Sequence, residues 1–140
     1  MSYIGELVKS HFDAKGVRYD YYERTEERNE AIKVSYRCDN ADSVSIYLFF
    51  DKDGGTLNAK SFSIAKVPEA KLMDTYVLLN ELNCEYRWVK FFIDNDNEVT
   101  VSGDAIIDET NAGEECYEII QRYVGIIDDV YPRIMKVIWA

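Results

Sequence analysis

A chain of 140 residues with 47% apolar content has single-domain length and enough apolar side chain for one buried core spanning 1–140. Its 26 acids outnumber 16 Lys and Arg, and the formal charge of -10 repels phosphate backbones and anionic membranes, so basic or neutral proteins are the expected partners, not nucleic acid or lipid. No run reaches the ~18 apolar residues that cross a bilayer and no basic n-region opens the chain; Cys38, Cys84 and Cys116 read as reduced core fillers, a cytoplasmic pattern.

From Ser2 to Ala14, Ile4, Leu7, Val8, His11 and Phe12 recur at helical spacing, and Gly16 ends that helix. "VRYDYYE", "AIKVSYRC" and "SVSIYLFFD" alternate apolar with polar residues and predict three strands. "DKDGG" at Asp51 to Gly55 supplies turn residues that fold the third strand back onto "TLNAKSFSIA", a weaker fourth. Pro68 opens a second helix whose apolar face is Leu72, Tyr76, Leu79 and Leu82, with Asn83 as the expected left-handed stop. "YRWVKFFID" and "EVTVSGDAII" form a second hairpin around Asn95, Asp96 and Asn97. The stripe of Cys116, Ile119, Ile120, Tyr123, Ile127, Val130, Ile134 and Ile138 stays in phase across Pro132, which predicts one long, kinked last helix. The order α-β-β-β-(β)-α-β-β-α is that of an α+β fold, a mainly antiparallel sheet with helices on one face.

Chemical signatures are missing from the sequence. His11 lies on an apolar helical stripe and has no second histidine to build a relay or metal site, so a structural role is expected. The cysteines lack metal-site spacing. The acidic turns at Asp51 and Asp94 fail the calcium-loop pattern, with Thr56 and Val99 where Gly is needed and Phe62 and Ala105 where the closing Glu is needed. No phosphate loop, dinucleotide fingerprint or nucleophile elbow occurs, and neither enzyme activity, metal nor cofactor is expected.

Two features point instead to binding. Between Lys90 and Arg122 no Lys or Arg occurs, whereas Asp94, Asp96, Glu98, Asp104, Asp108, Glu109, Glu114, Glu115 and Glu118 all fall there, an acidic sector able to steer a basic partner. Alternation also sends Tyr47 and Phe49 to the sheet face opposite Val44, Ile46, Leu48 and Phe50, and sends Trp88 and Phe92 opposite Val89, Phe91 and Ile93. An aromatic outer face points to a second covering, either another subunit or a bound peptide, or else further strands, loops or helices of the chain itself. The candidate partner-binding residues are therefore Tyr47, Phe49, Trp88 and Phe92, with Asp94, Asp96, Glu98 and Asp104 beside them.

"LLNELNCEYRWVKFFID", "NEVTVSGDAIID" and the "YP" near the end of a long last helix resemble the YbjN family, described as bacterial sensory transduction regulators. The resemblance covers most of the chain, best from about Val67 onward. It implies a fold like that of type III secretion chaperones, frequent homodimers and binding of extended partner segments, and it carries no active site. A chaperone- or adaptor-like protein is the expectation. The alternative is a small-molecule or ion sensor with a pocket between helices and sheet, lined by tyrosines and by Arg37 or Arg87.

Overall fold

The computed structural model describes residues 2–140. Helix α1 (Tyr3–Lys15) is followed by β1 (Asp20–Tyr22), β2 (Glu30–Arg37), β3 (Ser43–Phe50) and β4 (Thr56–Lys66), then α2 (Leu72–Glu85), β5 (Lys90–Ile93), β6 (Glu98–Ile106) and α3 (Ala112–Ile138). The six strands form one sheet in the order β1-β2-β3-β4-β6-β5, with every neighbouring pair antiparallel. The expected fold class and order hold, with the first strand shortened to three residues.

Ser2 caps α1 by accepting the Gly5 N–H at 3.0 Å, and Gly16, at φ 72°, closes it in the left-handed conformation that lets the Val17 N–H reach back to Phe12 at 2.9 Å. The buried carboxylate of Glu30 on β2 accepts from the Ser2 N–H and hydroxyl and from the Tyr21 phenol, tying α1 to the sheet. Burial pulls this acid upward, but those three donors outweigh it and hold it below the ordinary carboxylate range.

Helix α3 buries the predicted stripe, joined by Ala112, under the sheet with Phe12, Ile32, Ile46, Leu48 and Val101. Pro132 lies inside it without ending it. Proline has no N–H for the carbonyl four residues back, Asp128; that oxygen instead accepts the Asn40 side-chain amide at 3.1 Å. The Asp128 carboxylate accepts the N–H groups of Asn40 and Ala41, both at 2.8 Å, and of Asp39 at 3.2 Å, so the β2–β3 turn is docked on the helix where the proline frees it.

The Ala41 N–H, with those of Asn40 and Asp39, holds Asp128 below the usual carboxylate range. A lowered folded value contributes stability that is complete above the unfolded value and is lost as pH falls through the folded one. Asp128→Asn is therefore expected to lower the melting temperature at pH 7 and to flatten its decline below about pH 4, which thermal unfolding across pH 2.5 to 7 checks.

Three expectations are corrected. Asn83 is not the stop of α2, which runs to Glu85 with Tyr86 as an extended cap; the Asn83 side chain instead donates to the Phe91 carbonyl at 3.1 Å and accepts the Phe91 N–H at 2.7 Å. It pairs with the free edge of β5 as a strand would. Tyr76 is 49% exposed, and the buried face of α2 is Thr75, Leu78, Leu79 and Leu82, because Thr75 bonds its hydroxyl to the Lys71 carbonyl and can enter the core. Of the cysteines only Cys116 is buried; Cys38 is half-buried and Cys84 exposed.

His11 lies at the α1–α3 crossing, edge-on to Tyr117, with its Nε2 buried and unpartnered among the described residues. Gly125, exposed on α3, has nothing within 4 Å of the place a Cβ would take. Gly125→Ala removes a flexible residue from a helix interior without strain and is expected to stabilise by about 0.5–1 kcal/mol, read from the denaturant midpoint.

Candidate functional site

Along β3 the side chains of Val44, Ile46, Leu48 and Phe50 are buried while Ser45, Tyr47 and Phe49 face the other side of the sheet, as alternation predicts. The register carries that outer face across the molecule: Lys33, Tyr47, Lys60, Ser102 and Lys90 form one row, and Tyr22, Ala31, Phe49, Asn58 and Asp104 the next. No helix covers it.

Three aromatic rings from β3 and β4 meet there. Tyr47 and Phe49 stack at 5.7 Å and 7°, and Phe62 meets them edge-on at 5.6 and 6.2 Å. Phe62 is 45% exposed. The rings, with Tyr22 and Arg28, wall an open hollow of about 320 Å³ whose floor is Ala31, a side chain small enough to leave the space. Cations rim it: the Lys33 ammonium lies 5.5 Å from the Tyr47 ring centre, Lys60 5.9 Å from Phe62, and the Arg28 guanidinium 5.2 Å from Tyr22. Phe62 escaped the sequence reading, although alternation along "TLNAKSFSIA" sets Asn58, Lys60 and Phe62 opposite the buried Leu57, Ala59 and Ser61.

The other expected contact residues are not brought to this cluster. Phe92 is outward-facing but lies on β5, at the far side of β4 and β6. Trp88 is not on the outer face. Its backbone is left-handed at φ 78°, which breaks the strand period and turns the ring against α3, where the Arg122 guanidinium lies 5.4 Å from its centre. There it borders a second cleft of about 270 Å³ with Ala105, Ile119 and Tyr123. The Tyr123 hydroxyl donates to the Trp88 carbonyl at 3.0 Å and fixes the turn, and burial pushes that phenol up to about 12.

Much of the acidic sector is occupied locally. Asp94 accepts from the N–H groups of Asp96 and Glu98 and from the Thr100 hydroxyl, closing the β5–β6 turn. Asp108 accepts from Thr110 and Asn111 ahead of α3, Glu118 pairs with Arg122 at 3.2 Å, and Asp104 accepts the Asn58 amide at 2.9 Å. Asp96 and Glu98 stay on that hairpin, away from Tyr47 and Phe49. Arg37 and Arg87 are both exposed. Among the described residues no three His, Cys, Asp or Glu side chains converge on one point, and no helix is long and apolar enough to cross a membrane.

Residues 5–135 match a protein family described as "YbjN: Putative bacterial sensory transduction regulator". The chain belongs to the YbjN family. The crystal structure of YbjN from E. coli is similar with a TM-score of 0.60 at 14% identity, covering 91% of both chains, a likeness of fold. A chain of the heterodimeric ExoU-SpcU complex from the type III secretion system of Pseudomonas aeruginosa gives a TM-score of 0.49 at 13% identity, covering 94% of this chain and 97% of that one. No curated protein matches the chain.

Proposed function

We propose that this YbjN-family member is a non-enzymatic, adaptor-like protein that takes a protein partner on the open face of its sheet. The observation that carries this reading is the Tyr47, Phe49 and Phe62 cluster, three large rings packed on one another and left uncovered where a two-layer fold ordinarily places polar side chains. Aromatic rings grouped around a hollow are the surface chemistry that dominates binding energy in protein interfaces. The cleft lined by Ser2, Tyr21, Arg24 and Glu30 does set two hydroxyls on a carboxylate, but there Ser2 caps α1 and Glu30 ties that helix to the sheet, which accounts for the arrangement structurally.

A photo-crosslinking amino acid at position 62 should yield a covalent adduct with one protein in cells, while the same probe at exposed Met73 on α2 yields none. Replacing Tyr47, Phe49 and Phe62 together by alanine should remove that protein from the captured fraction and leave the fold intact by circular dichroism. Equal adducts at both positions would refute the reading.

A further inference from the structure

The same hollow indicates what its partner is made of. The chain carries ten more acids than bases, yet the groups lying over its exposed rings are cations: Lys33 on Tyr47, Lys60 on Phe62 and Arg28 on Tyr22. Among the described residues none of the three has a carboxylate within ion-pair distance; the ion pairs are those of Arg122 and Arg133. Asp20 stands opposite Lys33 in the strand register and Glu23, Glu26 and Glu27 share the β1–β2 loop with Arg28, yet none of them closes an ion pair with a rim cation, and Asp104 is held by the Asn58 amide.

Building on the protein-binding reading, we infer that the outer-face hollow receives an acidic segment of another protein, one apolar side chain entering between Tyr47, Phe49 and Phe62 while flanking carboxylates meet Arg28, Lys33 and Lys60. The expectation of a basic partner is thereby reversed for this surface. Net charge does not forbid it. At physiological salt, fields fade over about 8 Å, so a docked carboxylate responds to the cations beside it more than to acids across the molecule. The -10 charge acts on the approach, slowing encounter. A desolvated carboxylate also gains more from lysines already held over aromatic rings than from freely moving ones, because less side-chain freedom remains to be lost.

The test is fluorescence anisotropy with a labelled peptide bearing a single leucine between runs of glutamate, and a matched peptide with lysine in place of glutamate. The glutamate peptide is expected to bind the full chain and to weaken as salt rises. Lys33→Glu with Lys60→Glu should weaken it at least about tenfold, with Phe62→Ala similar. Lys33→Gln with Lys60→Gln, which leaves Asp20 opposite position 33 unrepelled, should give an intermediate loss if the reversal disturbs the fold. Tighter binding of the lysine peptide, or glutamate-peptide binding unmoved by either pair of substitutions, overturns the inference. So does sedimentation showing a homodimer that Lys60→Glu dissolves, since a second copy would then be the occupant. If neither peptide binds while position 62 still crosslinks a cellular protein, the acidic segment is refuted and the protein-binding reading survives.

Discussion

Gly103→Ala is expected to destabilise the protein by about 3 kcal/mol and to lower its melting temperature by roughly 10 °C. An added Cβ would lie 2.0 Å from the Tyr123 hydroxyl oxygen and 2.5 Å from the Trp88 carbonyl oxygen. One obstacle is the end of a side chain and the other is backbone, so the methyl cannot be relieved by a single rotamer change. The two oxygens are hydrogen-bond partners, and separating them removes the bond that holds Trp88 in its left-handed turn. Tyr123→Phe alone should cost about 1 kcal/mol. In the double variant the nearest clash is gone, so the combined loss should fall short of the sum by at least about 0.5 kcal/mol. Strict additivity in urea unfolding would show that the phenol is not what excludes a side chain from position 103.

The second large effect turns on the crossing of α1 and α3. Alanine in a helix interior ordinarily exceeds glycine by about 1 kcal/mol, and Gly125 is the site where α3 realises that gain. Position 113 reverses the sign. A Cβ there would lie 2.6 Å from the His11 Cβ and 2.8 Å from its Cγ, atoms next to the α1 backbone that move only if the helices part. Overpacking of this kind costs about 1–3 kcal/mol, so Gly113→Ala is expected to lose about 1–2 kcal/mol net while Gly125→Ala gains. Denaturant midpoints of the two variants, measured side by side, decide the matter; a shift in the same direction for both would refute the close crossing.

What was legible in the sequence were the features set by local periodicity. Val44 to Phe50 alternate without interruption, and the sheet presents them in that alternation. The α3 stripe stayed in phase past Pro132, and the helix continues because a side chain from the β2–β3 turn satisfies the carbonyl the proline abandons. Where the reading failed, a distant group had changed the local rule. Trp88 belongs by period to the outer face, but a bond from Tyr123, 35 residues away, stabilises a backbone conformation that period-counting excludes. Asn83 looked like a cap and is a clamp on Phe91, a role visible only once β5 lies beside α2. Asp94 and Asp108 counted as surface charge, yet each is spent on a turn. Of the three packed rings, alternation along β3 points to Tyr47 and Phe49 and the same period along β4 gives Phe62, whereas the placing of the cations around them needed the strand register and the β1–β2 loop.

The pairing of β3 with β4 is short. Their register runs only over Tyr47 to Phe50 against Lys60 to Leu57, whereas Ser43 to Ile46 remain paired to β2 alone. Beyond Lys60, β4 departs through an irregular stretch containing Ser63 at φ 55°. The sheet thus consists of two three-stranded plates joined by a seam of four register pairs, against eight between β2 and β3 and eight between β4 and β6, and opening free energy is low where pairing is sparse. Amide protons along that seam should exchange faster than those of the β2–β3 and β4–β6 pairings. The seam runs beneath the hollow, for Tyr47 and Phe49 ride on one plate and Phe62 on the other. Whatever fills the hollow therefore bridges both plates, and its occupancy would be readable as slowed exchange at backbone positions it never touches.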